Sequence, residues 1–163
     1  MASRDRLWLR ALLAVLALPG VVAVGIPLLL RPGSETSAFA PIGAVVLGVG
    51  LTIVGWCVRD FYVEGRGTLA PWAPPRHLVT RGLYAVSRNP MYLGVLCMVV
   101  GWALGFRSRA LGAYAAALFL AFHLRIVLSE EPWLARTFGE AWRDYASRVP
   151  RWLGRRRGPV GVL

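Results

Sequence analysis

The sequence predicts an all-α fold: a polytopic membrane bundle of four membrane-embedded helices, the last two forming a short hairpin, followed by a C-terminal amphipathic helix. Three observations predict it. Apolar residues make up 56% of the 163 residues and charged residues only 17%, against roughly 45–50% and about 25% in soluble domains. The chain contains four long uncharged runs, and its arginines flank them. This composition argues against a free-standing soluble enzyme and against a disordered chain.

The first two uncharged runs are long enough to cross a bilayer. Ala11–Leu30 and Ala38–Val58 each cover a hydrocarbon core of roughly 30 Å at about 1.5 Å per residue. Ala11–Leu30 is too long for a cleaved signal peptide and no clear cleavage site follows it, so we expect a retained span. Pro19 and Pro27 should kink this helix. Four glycines of the second run predict close helix packing: Gly43, Gly48, Gly50 and Gly55.

The next two uncharged runs are shorter and predict a tight helical hairpin. Met91–Phe106 and Ala110–Leu124 are separated only by Arg107-Ser108-Arg109. Beyond them, Ser129–Val149 carries apolar residues at helical spacing, with Pro132 where a first helical turn tolerates it. This last helix is expected to lie at the membrane interface or to cap a cytoplasmic cavity.

The distribution of arginine predicts the topology. All 19 basic residues are arginine and the net charge is +11. With a cytoplasmic N-terminus, only Arg31, Arg107 and Arg109 lie outside, which satisfies the positive-inside rule. We therefore expect a multi-pass membrane protein with both termini and the Arg59–Pro90 loop in the cytoplasm. The charge suits membrane lipid headgroups, and we expect no nucleic-acid partner.

Polar residues concentrate on this cytoplasmic side. Glu130 and Glu131 follow the fourth run, and on their own they are compatible with acids favoured at a helix N-terminus. Arg125 interrupts an apolar run, which marks a candidate functional residue. Cys57 and Cys97 lack metal-ligand spacing, so no metal site is expected. Further polar residues precede the third run: His77, Thr80, Tyr84, Arg88, Asn89 and Tyr92.

Two blocks of sequence on this side resemble a known family. The first, His77 to Gly94, contains Arg88-Asn89-Pro90-x-Tyr92, and the second, Glu130 to Pro150, opens on the acidic pair. Both are similar to motifs of membrane isoprenylcysteine carboxyl methyltransferases and related phospholipid N-methyltransferases. The resemblance implies S-adenosylmethionine as cofactor, bound without a Rossmann fold, and a lipid or prenylated small-molecule acceptor reached from the bilayer.

The resemblance also implies roles for individual residues. Arg125 would grip an anionic acceptor group, and Glu131 would serve as a neighbour of Glu130 or as a base. Asn89 stands where the family usually has histidine, and asparagine cannot titrate near neutral pH. The implied cofactor contacts are Arg76, His77, Leu78, Val79, Tyr84, Asn89, Pro90, Met91, Tyr92 and Glu130.

These expectations combine into one functional hypothesis. Residues 1–58 would form an N-terminal pair of transmembrane helices and residues 59–163 the catalytic part. The protein would be an isoprenylcysteine carboxyl O-methyltransferase-like enzyme acting on a membrane-embedded amphiphile. A phospholipid (ethanolamine) N-methyltransferase and a non-catalytic membrane scaffold with the same fold remain alternatives. The identity of the acceptor (carboxylate, amine, phenol or thiol) and the oligomeric state stay open.

Overall fold

The computed structural model describes residues 16–31, 39–63 and 77–154, which contain helices and no strand. Residues 11–15 of the first run, Arg76 and the arginines after residue 154 lie outside the described residues. The helices are a π-helical stretch Leu16–Gly25 continuing into α1 (Ile26–Leu29), then α2 (Pro41–Val63), a 3-10 turn (Gly82–Ala85), α3 (Pro90–Gly105), α4 (Arg109–Arg125), a π turn (Ile126–Glu130) and α5 (Glu131–Arg148). The prediction of an all-helical chain is confirmed for the described residues.

The first helix is held to the bundle through backbone carbonyls near Pro27. Proline has no N–H, so it cannot donate to a carbonyl one helical turn before it. The carbonyls of Ala23 and Val22, four and five residues before Pro27, accept hydrogen bonds from Trp102 Nε1 at 2.8 Å and from the Tyr114 hydroxyl at 3.0 Å. Neighbouring helices therefore supply donors to the backbone near the proline, as an apolar surrounding requires.

Helices α2 and α3 pack closely along faces lined by glycine. A Cβ built on Gly50 would lie 2.6 Å from the carbonyl oxygen of Gly94, and one on Gly101 would lie 2.6 Å from the backbone nitrogen of Leu47. Gly43 lies equally close to the backbone of Gly105. Small residues at these positions let the two backbones approach. The predicted close packing is therefore observed on this face.

The other two glycines of α2 face away from this contact, since a Cβ on Gly48 or Gly55 would meet nothing within 4 Å. Gly48→Ala should therefore leave stability unchanged or raise it, by up to about 1 kcal/mol through helix propensity. Gly50→Ala should lower stability by about 1–3 kcal/mol because the methyl group meets the α3 backbone. Unfolding of the detergent-solubilised variants by denaturant measures both. Equal stabilities for the two variants would contradict this account of the packing.

The predicted hairpin is present. Helix α3 ends at Gly105, and the turn before α4 contains Arg107 with a positive φ of 50°. Ser108 caps α4, since its side chain accepts a hydrogen bond from the backbone nitrogen of Leu111 at 3.3 Å. Serine at this position satisfies one of the N–H groups left open at a helix start.

The fourth and fifth helices are continuous, unlike the separate helices expected from sequence. The π turn Ile126–Glu130 joins α4 directly to α5, with Pro132 in the first turn of α5. The helical path instead breaks at Gly139, where φ is 54°. A residue without a Cβ adopts this conformation readily, so the break falls at the glycine and not at the charged residues after Leu124.

Two of the described helices are long and apolar enough to cross a membrane. They are Pro41–Asp60 and the apolar part of the helical segment Arg109–Arg148, which precedes the break at Gly139; Gly20–Leu29 and Pro90–Gly105 are shorter apolar helices. Only 22% of each apolar window is buried, which is unlike a helix at the core of a soluble protein. Exposed apolar side chains along both helices, such as Val45, Leu51 and Leu120, are consistent with contact with lipid.

The apolar face of α5 packs against the loop before α3. Trp142 and Tyr145 are buried together with Val149, and Leu78 packs against this cluster. The exposed side of the same helix carries Arg136, Glu140, Arg143 and Asp144. The buried side of α5 therefore covers part of the first block of the sequence motif.

Candidate functional site

The two motif blocks are in direct contact. The backbone nitrogen of Arg88 donates to the carbonyl of Pro150 at 2.9 Å. The Tyr145 hydroxyl donates to the carbonyl of Tyr84 at 2.7 Å, and this bond is buried. These contacts join segments about sixty residues apart in sequence. The loop before α3 and the C-terminal segment thus form one polar site at the ends of α3 and α4.

Three side chains form a hydrogen-bonded group that we call the Glu130 cluster: Glu130, Arg125 and Tyr92. Arg125 Nε donates to Glu130 Oε1 at 2.8 Å and lies 3.2 Å from the Tyr92 hydroxyl. The Tyr92 hydroxyl also donates to Glu130 Oε1. Tyr92 comes from the first motif block and Glu130 from the second, so the cluster lies where the two blocks meet.

The π turn explains why Arg125 and Glu130 meet. Five residues of an α-helix advance about 1.4 turns, which would point the two side chains to different sides. The π turn Ile126–Glu130 closes hydrogen bonds five residues apart, so Glu130 returns to the side of the helix that carries Arg125. Single π turns of this kind often occur at functional sites.

Glu131 belongs to a different group of ion pairs, which we call the Glu131 clasp: Glu131, Arg88 and Arg151. Arg151 binds the carboxylate through Nε and Nη2 at 2.8 and 2.7 Å, and Arg88 Nη1 lies 3.0 Å from Oε1. The Arg88 side chain is buried and also lies over the ring of Trp142. Bidentate arginine–carboxylate pairs are among the stronger charged contacts. Through Glu131, the clasp therefore links the chain after α5 to the loop before α3.

Asn89 strengthens the same junction. Its side-chain Nδ2 donates to the carbonyl of Arg151 at 2.9 Å, and its backbone nitrogen donates to Ser87 Oγ at 3.1 Å. Ser87 is buried and its hydroxyl also donates to the Arg151 carbonyl, at 3.4 Å. The side-chain amide of Asn89 therefore has a hydrogen-bond partner within the protein. This bond requires only a donor, and asparagine supplies one.

Tyr84 is a buried residue with its phenol in an apolar surrounding. It packs with Cys57 and Val79 at the end of α2. Burial raises the pKa of Tyr84 well above its usual value, and the neighbouring Cys57, Tyr145 and Asp60 add to the rise. The phenol therefore stays protonated at physiological pH and does not supply a phenolate base.

The other residues implied as cofactor contacts differ in exposure. His77 is exposed, whereas Val79 and Pro90 are buried. Leu78 is half-buried against the Trp142 and Tyr145 side chains, and Met91 is half-buried between two apolar clusters. Among the described candidates, the polar side chains nearest to one another are those of the Glu130 cluster and the Glu131 clasp. Arg76 lies outside the described residues.

Sequence reasoning missed two charged residues of this region. Arg151 follows the second motif block and is one of the two arginines of the clasp. Asp60 follows the second uncharged run and is only 3% exposed. The sequence does indicate that Asp60 is buried, because it lies three residues after the buried Cys57 on the face of α2 that packs inward.

Among the described residues, no group of three or more metal-ligating side chains could hold a metal ion.

The fold and the site define an all-helical membrane protein with a cluster of charged side chains at the ends of its apolar helices. The chain belongs to the phospholipid methyltransferase family, whose model matches residues 40–141. The matched range covers α2 to α4 and the first part of α5, and it includes the Glu130 cluster and two of the three residues of the clasp. No solved structure matches this chain.

Curated relatives carry several different names. A nickel-cobalt-cadmium resistance protein of Alcaligenes xylosoxydans xylosoxydans is 33% identical over 68% of this chain and 48% of its own. A Delta(14)-sterol reductase of Mus musculus is 33% identical over 56% of this chain and 22% of its own. Protein-S-isoprenylcysteine O-methyltransferase of Schizosaccharomyces pombe is 33% identical over 45% of this chain and 31% of its own. The chain thus matches half or less of each of these relatives.

Proposed function

We propose that the protein is an integral membrane methyltransferase that uses S-adenosylmethionine and methylates a membrane-embedded amphiphile, in the manner of isoprenylcysteine carboxyl O-methyltransferases. The observation that carries the proposal is the Glu130 cluster, which joins the two motif blocks at the ends of the apolar helices. Family membership and the relative of Schizosaccharomyces pombe support the reaction class.

The residues of the cluster fit the charged end of the cofactor. The amino-acid end of S-adenosylmethionine carries an ammonium group, which requires an acceptor. Both donors within the described residues go to Oε1 of Glu130, so Oε2 would accept from the ligand ammonium group. The Glu130 and Arg125 side chains are 30% and 53% exposed, which leaves both accessible. When bound, S-adenosylmethionine supplies an electrophilic methyl group on a positively charged sulfur.

The surroundings of Arg125 suit an acceptor that comes from the lipid. The guanidinium is half exposed, and the neighbouring Leu124 and Leu128 are exposed apolar residues. A cation at the boundary of an apolar surface can hold an anionic headgroup while the acyl or prenyl chain stays in the bilayer. Arg125 would then orient the acceptor, and Tyr92 would hold the Glu130 carboxylate in place.

The candidate bases of the site favour an acceptor that is already anionic. Glu131 is bound to two guanidinium groups, so accepting a proton would cost both ion pairs. The Tyr84 phenol stays protonated, and Asn89 cannot titrate. A carboxylate or thiolate acceptor needs no base, so positioning and exclusion of water can supply the rate enhancement.

A transfer assay with tritiated methyl donor tests the proposal and separates its alternatives. Purified protein is incubated with S-adenosyl-[methyl-³H]methionine and either N-acetyl-S-farnesylcysteine or phosphatidylethanolamine vesicles. We expect label in the prenylcysteine that is released as methanol by alkali, since a methyl ester is base-labile. Alkali-stable label in the phospholipid would support the N-methyltransferase alternative instead. A folded protein that labels neither acceptor and binds no cofactor would support the scaffold alternative.

A further inference from the structure

Three aromatic side chains stack on one side of α4, where the chain after α5 returns to it. The centroid of the Trp152 ring lies 5.1 Å from that of Phe119 and 6.3 Å from that of His123. Phe119 and His123 are one helical turn apart on α4, and their rings also contact each other. Phe119 is 44% exposed, whereas His123 and Trp152 are half-buried. We call these three residues the aromatic stack, which is open to the surroundings of the helix.

A hydrogen bond within the aromatic stack fixes the position of the proton on His123. Trp152 Nε1 donates to His123 Nδ1 at 3.3 Å. Because an indole N–H only donates, Nδ1 is the unprotonated nitrogen and the neutral ring carries its proton on Nε2. This N–H has no hydrogen-bond partner among the described residues. The neighbouring Leu120 and Leu124 are apolar and exposed, and hydrocarbon offers no water to such a donor. An acceptor atom of a lipid would satisfy it.

A positive charge lies on the same side of the helix. Arg151 precedes Trp152 in the chain and pairs with Glu131, which follows His123 by eight residues, about two helical turns. The chain after α5 therefore passes from the charged residues of the clasp to the apolar surface of α4. Arg151 binds Glu131 through Nε and Nη2, whereas its Nη1 has no partner among the described residues. The side chain is one-third exposed, so Nη1 is available to an anion.

We infer that this side of α4 is a binding site for a glycerophospholipid of the surrounding membrane. The Arg151 guanidinium pairs with the phosphodiester, and His123 Nε2 donates to an ester carbonyl oxygen. The acyl chain lies against the Phe119 and Trp152 rings. The cation, the N–H donor and the apolar rings follow one another along the helix in the same order as the phosphate, the ester and the chain of such a lipid.

This lipid site is separate from the proposed methyl-transfer site. Residues two apart on an α-helix project about 200° from each other, so His123 and Arg125 lie on different sides of α4. Arg125 contacts Glu130 and Tyr92 and not the aromatic stack. The inference therefore goes beyond the proposed function and does not depend on it, since the lipid is a further ligand and not the methyl acceptor.

Lipid titration followed by native mass spectrometry tests the inference. The detergent-solubilised protein is titrated with a diacyl phosphatidylglycerol or with its dialkyl ether analogue, which keeps the phosphate and both chains but lacks the ester carbonyls. We expect the wild type to bind the first molecule of the ester lipid about threefold to tenfold more tightly than that of the ether lipid, as one hydrogen bond predicts. The matched control is Thr52→Val, which removes a polar side chain from the exposed side of α2 and should keep this preference.

Two variants of His123 separate the roles of its two nitrogens. In His123→Asn, the amide oxygen can accept from Trp152 Nε1 in place of Nδ1, but no donor replaces Nε2–H. This variant should bind the ester and ether lipids equally. In His123→Gln, the longer side chain carries an amide donor near the position of Nε2, and part of the preference should return.

Several results would overturn the inference. Equal binding of the ester and ether lipids by the wild type overturns it without any variant, so a poorly folded His123→Asn does not leave it undecided. A preference that persists in folded His123→Asn also overturns it, because the carbonyl then has another donor. Equal binding of the ether lipid and of a dialkylglycerol, which lacks the phosphate, would contradict the pairing with Arg151. None of these results bears on the proposed function, because no methyl donor is present in the titrations.

Discussion

Glu130→Ala is expected to weaken binding of S-adenosylmethionine by about a hundredfold. The change removes the carboxylate that both Arg125 and Tyr92 contact, and with it the group proposed to bind the ligand ammonium. Glu130→Gln should weaken binding less, because an amide keeps an acceptor oxygen but lacks the negative charge. Isothermal titration calorimetry of the detergent-purified variants measures both affinities.

The control for this prediction is Glu140→Gln, which neutralises an exposed acid of α5. It removes one negative charge, as Glu130→Ala does, and should leave the affinity unchanged. An affinity of Glu130→Ala within a few-fold of wild type would show that the cluster does not contact the cofactor. The assignment of Glu130 would then be wrong.

The second large effect is a loss of stability, expected when the Glu131 clasp is broken. Glu131→Ala should destabilise the protein by about 3 kcal/mol, because it leaves the buried Arg88 guanidinium without its carboxylate. The chain after α5 should also detach from the loop before α3, since Arg151 loses its two-pronged pair. Chemical unfolding measures the stability, and limited proteolysis followed by mass spectrometry should show earlier cleavage near Arg151.

The geometry predicts an order for the stability losses of related variants. Arg151→Ala should cost less than Glu131→Ala, because the Arg151 side chain is one-third exposed and Arg88 keeps its partner. Asp144→Asn breaks only an exposed pair with Arg148 and should cost at most about 0.5 kcal/mol. If Glu131→Ala retained wild-type stability but lost methyl transfer, Glu131 would act in catalysis, as the family resemblance implies, and the structural role would be contradicted.

Much of the architecture could be predicted because it follows from local patterns. Uncharged runs and their lengths predict α2 and the α3–α4 hairpin, and Ser108 is a usual helix cap. The resemblance names both Tyr92 and Glu130 as cofactor contacts, and the structure brings these two side chains into a hydrogen bond. These features depend on composition, periodicity or motif, all of which are visible in the chain itself.

Other features depend on three-dimensional contacts and could not be predicted in this way. The sequence does not distinguish Gly50, which touches the α3 backbone, from Gly48, which touches nothing within 4 Å. It also does not show which arginines the two adjacent acids bind, with Glu130 bound to Arg125 and Glu131 bound to Arg88 and Arg151. The pair between Arg125 and Glu130 depends on the π turn, which brings residues five apart to the same side of the helix.

The most direct test of the account is whether the wild-type protein binds S-adenosylmethionine. Calorimetric titration of the folded, detergent-purified protein should show saturable binding with a dissociation constant in the micromolar range. S-adenosylhomocysteine should compete with it. A protein that is folded by circular dichroism and yet binds neither compound would contradict the central claim, and the polar site between the motif blocks would then serve the scaffold alternative.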